Sequence, residues 1–133
     1  MYSAPKAIET RPPWRLRLLL AAHWLVAALP WLFIASMAAW AWRASQSIGH
    51  WPVPLDDDPK FIAMGDGIYD WLGGLVNTMI TVVFFSLFTL PATAALTWRD
   101  LRPELRYGLL AFYALGLLMI PLDPFGLFAW IVD

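Results

Sequence analysis

Asp123 is the residue whose type and position most strongly suggest chemistry. It stands between Pro121 and Pro124 after a long apolar run. A carboxylate inside the hydrocarbon of a membrane costs several kcal/mol, so such groups commonly serve as ion sites or proton relays. The simpler interpretation is that the prolines end a helix near the membrane boundary, where Asp123 caps the C-terminal segment. We expect the cap and keep the ion or proton site as the alternative.

His23 is the second candidate, because it lies five residues inside an apolar run that begins at Leu18. An imidazole at this depth could ligate a haem iron, relay protons or pair with a carboxylate. The other histidine, His50, belongs to a segment that we expect on the opposite side of the membrane, so this chain alone does not supply two ligands to one haem. We expect a neutral His23 that is hydrogen-bonded to a neighbouring helix, and we assign no cofactor.

A third candidate is a series of amide and hydroxyl side chains within residues 71–98. Its members are Asn77, Thr78, Thr81, Ser86, Thr89, Thr93 and Thr97. At 100° per residue they cover about 200° of a helix, which favours one side without confining them to a stripe. They could line a polar path that includes Asn77, but helix packing through hydrogen bonds is the simpler interpretation. Thr89 and Thr93 flank Pro91, and we expect them to satisfy carbonyls that its ring frees.

Small residues predict close helix contacts. Ala35 and Ala39 form a small-xxx-small pair, Gly73 and Gly74 open the second apolar run, and Gly116 lies in the third. Small side chains allow membrane helices to approach closely. Three helices can cover only part of these small-residue surfaces by packing on one another. This favours an oligomer or a complex with other membrane chains.

Several classes of function lack their residues. The chain has no cysteine, which excludes disulfides, thiol nucleophiles and zinc–thiolate sites. Its net charge of -1 gives no basic surface for nucleic acid. The acids at 56–58 are adjacent rather than alternating, so we expect a solvated cap and no metal site. No nucleophile–base–orienter set is present, and we do not expect an enzyme.

The elements that carry these residues are membrane helices. The chain is 60% hydrophobic, against about 45–50% in average soluble domains. Residues 18–42, 71–98 and 107–122 contain no Asp, Glu, Lys or Arg, and about 20 apolar residues cross a bilayer as a helix. We predict an all-α membrane protein with three transmembrane helices. Each span contains or is ended by a proline: Pro30, Pro91 and Pro121.

The predicted organisation has seven segments. They are a basic tail (1–17), the first helix (18–42), an acidic outer connector (43–70), the second helix (71–98), a turn (99–106), the third helix (103–122) and an interfacial tail (123–133). In the connector, Asp58-Pro59 resembles an N-cap followed by proline at the first helical position. A short interfacial helix through Phe61, Ile62 and Met64 could begin there.

Basic residues predict the orientation, because Lys and Arg beside membrane spans stay in the cytoplasm. They concentrate in the tail and in the short turn: Arg15, Arg17, Arg99, Arg102 and Arg106, with Lys6 and Arg11. The N-terminus is therefore expected in the cytoplasm and the C-terminus outside, in a bacterial inner membrane. A cleaved signal peptide ending at Ala39-Trp40-Ala41 is the competing interpretation, but the first apolar run is longer than such peptides use.

Three functions are compatible with this pattern. The first is a small inner-membrane protein that acts through helix–helix contacts, as an accessory, assembly or stabilising subunit of a larger complex or as a homo-oligomer. The second is an oligomeric channel or proton-coupled transporter that uses Asp123 or His23. The third is a holin-like or immunity-type membrane protein. The expected partners are the lipid bilayer and other membrane chains, not nucleic acid.

Overall fold

The fold is helical throughout the part of the chain that the computed structural model describes, which is residues 13–60, 62, 67–98 and 101–132. Four helices follow one another in these residues: α1 (Pro13–Ile48), α2 (Gly67–Thr97), α3 (Pro103–Leu122) and α4 (Leu127–Val132). Three of them, α1 to α3, are long and apolar enough to cross a membrane. The predicted all-α fold with three membrane-capable helices is confirmed. These helices make the chain a small multi-pass membrane protein.

The helix α1 is the central helix of the bundle. It packs most extensively on α2, less on α3, and also on α4. With 36 residues, α1 is about 54 Å long, against about 30 Å of hydrocarbon. It therefore extends beyond the charge-free segment 18–42 at both ends, because charged residues limit the membrane span but do not end a helix. Gly49 ends it with a left-handed φ of 82°, and its N–H donates to the Ser45 carbonyl.

Two buried clusters hold the bundle together, one toward each end. The connector end, where residues 49–60 and α4 meet the helices, has the larger cluster. Its buried members are Phe33, Met37, Ala41, Ala44, Tyr69, Val76, Val83, Leu127 and Trp130. The turn end, where α2 passes into α3, has a smaller cluster of Ala27, Leu90, Leu109 and Tyr113. Both clusters include residues of α1, which is why α1 organises the fold.

The connector differs from its expected form. Asp58 accepts a hydrogen bond from the Lys60 N–H at 2.8 Å, which is the bond that an N-cap makes to the second helical residue. Pro59 and Lys60 nevertheless form a turn and are not helical. Ile62 is not helical either. Phe61 and residues 63–66 lie outside the described residues. The side chain of Asp58 thus makes the expected capping bond, whereas residues 59, 60 and 62 do not form the expected helix.

Candidate functional site

Asp123 joins α3 to α4. Its backbone is left-handed (φ 39°, ψ 57°), and its N–H donates to the Met119 carbonyl at 3.1 Å. The two carboxylate oxygens accept hydrogen bonds from the N–H groups of Phe128 (3.0 Å) and Ala129 (2.8 Å). Both oxygens therefore hold the first turn of α4, whose N–H groups have no partner inside the helix. The geometry is that of a cap that folds α4 back toward α1.

His23 is buried between α1 and the end of α2, with 1% of its surface exposed. Its Nδ1 lies 3.3 Å from the Thr97 hydroxyl. That hydroxyl also donates to the Thr93 carbonyl at 2.9 Å. The opposite nitrogen, Nε2, is buried without a partner among the described residues. His23 thus links α1 to α2 through Nδ1.

The second histidine is remote from the first. His50 follows the end of α1, 27 residues after His23, and a helix rises about 1.5 Å per residue. Its Nδ1 lies 3.0 Å from the Trp51 carbonyl and 3.7 Å from the Asp57 carboxylate. The two imidazoles therefore do not form one site. His23 is also distant from Asp123, because the two residues lie at opposite ends of the bundle.

The polar residues of α2 divide between two faces. Ser86 and Thr97 are buried, and the Ser86 hydroxyl donates to the Val83 carbonyl and accepts from the Tyr113 hydroxyl at 2.6 Å. The exposed members are Asn77, Thr78, Thr81 and Thr89. The packing interpretation therefore fits the buried pair, whereas no helix among the described residues covers the exposed ones.

The two threonines around Pro91 do not satisfy the carbonyl that proline frees. The Thr89 hydroxyl lies 3.5 Å from the Ser86 carbonyl, and the Thr93 hydroxyl donates to the Leu90 carbonyl at 3.0 Å. The carbonyl four residues before Pro91 is that of Leu87. Both hydroxyls bond three residues back along α2, a local geometry that Ser and Thr reach without help from a neighbour.

Two of the predicted packing glycines lie at the tightest helix contacts. A Cβ on Gly116 would be 2.8 Å from Trp31 Nε1 and 2.9 Å from Pro30 Cβ. A Cβ on Gly73 would be 3.0 Å from the Trp40 ring. Gly74, by contrast, faces open space. Hence Gly116 sets the approach of α3 to α1 and Gly73 that of α2 to α1.

The predicted alanine pair lies elsewhere. Ala35 and Ala39 are exposed on α1, while Ala27, Ala41 and Ala44 are fully buried against the other helices. The spacing of four is correct for a helix face. The face it marks is one that no described helix of this chain covers.

Aromatic side chains close the connector end, and the sequence pattern did not single them out for this role. The rings of Trp40 and Trp130 have centroids 5.2 Å apart, and Trp40 is 5.5 Å from Tyr69. Trp130 Nε1 donates to the Asp57 carbonyl, and the Tyr69 hydroxyl donates to the Pro59 carbonyl at 2.8 Å. Tryptophans near span ends are usually read as interface anchors, and nothing in their spacing distinguishes a buried one.

An apolar cavity of about 100 Å³ lies beside this closure. Its lining comes from α1, the end of α3 and the turn into α4: Trp31, Ile34, Met37, Met119, Ile120, Asp123, Pro124, Phe125 and Leu127. The one ionisable side chain in the lining is Asp123, whose oxygens already hold α4. The cavity is therefore lined by apolar surface, and its lining contains no set of polar groups that point to a common centre.

The acids of the connector bind backbone groups separately. The Asp57 carboxylate accepts from the Val53 N–H at 2.9 Å, and Asp58 from Lys60. Across the described residues, no group of three or more His, Asp or Glu side chains is arranged to hold a metal ion.

Four of the described basic residues lie at the turn end or on the first turns of α1, whereas Arg43 and Lys60 belong to the connector end. Arg15 and Arg17 are exposed, and the Arg15 guanidinium is 5.3 Å from the Trp14 ring. Arg102 precedes α3 at the N-cap position, and Arg106 lies 4.5 Å from the Trp98 ring. Arg99 lies outside the described residues. These cations bracket one end of the bundle.

No protein-family model, curated protein or solved structure matches the chain.

Proposed function

We propose that the protein works in a bacterial inner membrane through helix–helix contacts, as an accessory, assembly or stabilising subunit of a larger membrane complex. The observation that carries this proposal is the use of the intramembrane polar groups. His23–Thr97 and Ser86–Tyr113 join helices to one another, and Asp123 holds α4. The hydrogen bonds of these side chains connect parts of the bundle.

The exposed surface supports the same proposal. α1 covers one side of α2, and the other side presents aromatic rings to the surroundings. Phe84, Phe85 and Phe88 are 57–65% exposed and contact one another edge to face. Such a surface is acceptable to lipid and equally suited to another membrane helix. The addition of exposed polar residues beside it favours a protein neighbour, because lipid chains offer no hydrogen bonds.

The test is isolation from native membranes in mild detergent, with a tag on the N-terminal side. We expect at least one other membrane chain to co-purify in fixed ratio. Changing Phe85 and Phe88 together to leucine should reduce the recovery of that chain, because the rings are exposed and their loss leaves the bundle intact. The matched control is Leu118→Ile, an exposed change on α3. A protein that purifies alone as a monomer would contradict the proposal.

A second function has one observation in its favour. Asn77, Thr78 and Thr81 are exposed on the same side of α2, so an oligomer that brought these faces together would surround a polar path. An ion or proton channel of this kind should give flux in liposomes that Asn77→Leu abolishes. Asp123→Asn and His23→Ala test the versions that use those residues. Wild-type liposomes without flux would remove this function.

A further inference from the structure

The second membrane helix has one bare face. Its buried residues Val76, Val83 and Leu90 point toward the other helices. At 100° per residue, Gly74, Asn77, Thr78 and Thr81 fall within about 100° of arc on the opposite side, and all four are exposed. We call these four residues the polar face of α2.

Asn77 is the residue on this face that needs a partner. Among the described residues its amide has no hydrogen bond. It lies ten residues after the start of α2 at Gly67, hence about 15 Å along a helix that is about 46 Å long. If the middle of α2 lies at mid-bilayer, this position is about 7 Å inside a 30 Å hydrocarbon layer. An amide has two donors and an acceptor, and lipid chains satisfy none of them.

The residues around Asn77 allow another helix to approach closely. A Cβ on Gly74 would have nothing within 4 Å, so the surface there is flat and uncovered. Gly74 and Thr78 are four residues apart, which is the small-xxx-small spacing of close helix pairs. The Thr78 hydroxyl donates to the Gly74 carbonyl at 2.9 Å, so it adds no unsatisfied donor. The amide of Asn77 is therefore a single polar group within a small, accessible surface.

A second copy of the chain is the neighbour that this chemistry specifies. All copies insert with the same orientation, so every Asn77 lies at the same depth in the membrane. A two-fold axis brings identical patches together, and an amide both donates and accepts, so two of them form a reciprocal pair. We propose that the polar face of α2 is a parallel homodimer interface in which the Asn77 amides of two copies bond to each other. This inference goes beyond the proposed function, because a second copy of the chain is a different partner from the other membrane chain of a larger complex.

Cysteine cross-linking tests the geometry without background, because the chain has no cysteine. Thr81→Cys lies on the polar face and should form a disulfide-linked dimer in native membranes treated with a membrane-permeant oxidant. The control is Ile80→Cys, one residue away and also exposed, but turned by about 100° around the helix. Equal cross-linking of the two variants overturns the proposal.

Dimer affinity tests the role of the amide. Fluorescence energy transfer between labelled copies, diluted with lipid, gives the dissociation constant. Asn77→Leu should raise it about tenfold, in line with intramembrane hydrogen bonds in helical peptides, whereas Asn77→Gln should retain most of the affinity. The fold of each copy should not change, since Asn77 contributes no hydrogen bond within the bundle.

Two outcomes separate this inference from the proposed function. Unchanged affinity in Asn77→Leu overturns the homodimer, as does a monomer at all lipid dilutions. If that same monomer still co-purifies with another membrane chain, the homodimer fails and the accessory-subunit function stands. If the protein dimerises through the polar face and no other chain is recovered, the homodimer stands and the accessory-subunit function fails.

Discussion

At the scale of single residues, some polar side chains form hydrogen bonds within the bundle and others are exposed on its surface. Asp123 and His23 were the leading candidates for chemistry, and both make hydrogen bonds that position helices. Both oxygens of the Asp123 carboxylate already accept backbone N–H hydrogen bonds, which are strong because the acceptor is charged. The Nε2 atom of His23 is left without a partner among the described residues.

Asp123→Ala should loosen α4, because it removes the acceptor of two backbone N–H groups. Loss of a helix cap typically costs about 0.5–2 kcal/mol, and the loss should appear as faster hydrogen exchange at the Phe128 and Ala129 amides. Asp56→Ala is the control, since Asp56 is an exposed acid of the same end. Unchanged exchange in Asp123→Ala would contradict the capping role.

Gly116→Ala should destabilise the bundle, because the new Cβ would meet Trp31 and Pro30 at less than 3 Å. Overpacking of this kind costs about 1–3 kcal/mol, which is measurable as a lower unfolding midpoint in detergent. Gly108→Ala is the matched control on the same helix, where a Cβ meets nothing within 4 Å. It should leave stability unchanged or raise it slightly through helix propensity. Equal effects of the two substitutions would show that the close approach is absent.

At the scale of elements, α1 packs on every other described helix, whereas α2 and α3 pack less extensively on each other. They meet through the buried Leu90 and Leu109 and through the hydrogen bond between Ser86 and Tyr113. Neighbouring side chains in a membrane bundle are held by packing and hydrogen bonds, since there is no hydrophobic effect between helices in lipid. The α2–α3 contact is thus the part of the bundle most dependent on a specific pair.

The Ser86–Tyr113 pair should show energetic coupling. In a double-mutant cycle of Ser86→Ala and Tyr113→Phe, we expect about 0.6 kcal/mol, with about 1.7 kcal/mol as an upper value for such bonds. Tyr107→Phe combined with Ser86→Ala is the control, because Tyr107 is exposed. Strict additivity of Ser86→Ala and Tyr113→Phe would contradict the observed contact.

Trp130→Phe should open the connector end. The ring is retained but the N–H that donates to the Asp57 carbonyl is lost, and the loss of a typical hydrogen bond costs about 0.5–1.5 kcal/mol. The expected result is faster proteolysis within residues 49–60. Trp71→Phe is the control, since Trp71 is 65% exposed. Equal cleavage of the two variants would indicate that the Trp130 bond does not hold the connector.

At the scale of the whole molecule, the distribution of charge sets the proposed orientation. Four of the described basic residues, Arg15, Arg17, Arg102 and Arg106, belong to the end where α1 begins and α2 passes into α3, against Arg43 and Lys60 toward the other end. The acids Asp56, Asp57 and Asp58 belong to the connector at the other end. Lys and Arg near spans are retained in the cytoplasm, so the turn end should be cytoplasmic.

Reporter fusions test that orientation. A periplasm-active enzyme fused after Asp58 or after Val132 should be active, and one fused after Trp98 should not. A cytoplasm-active reporter at the same positions provides the complementary control. Activity of the periplasmic reporter at Trp98 would reverse the orientation, and extraction of the protein from vesicles by carbonate would contradict membrane integration itself.

The number and composition of the membrane helices follow from the chain alone, because a charge-free run of sufficient length has few other stable environments. The polar series of α2 was equally visible, but its division into buried Ser86 and Thr97 and exposed Asn77 and Thr81 was not. That division depends on how α2 is rotated about its axis, and the rotation is set by contacts far apart in the chain, such as Gly73 against Trp40. The closure by Trp130 was hidden for the same reason, since an apolar tail carries no local signal of the surface on which it folds.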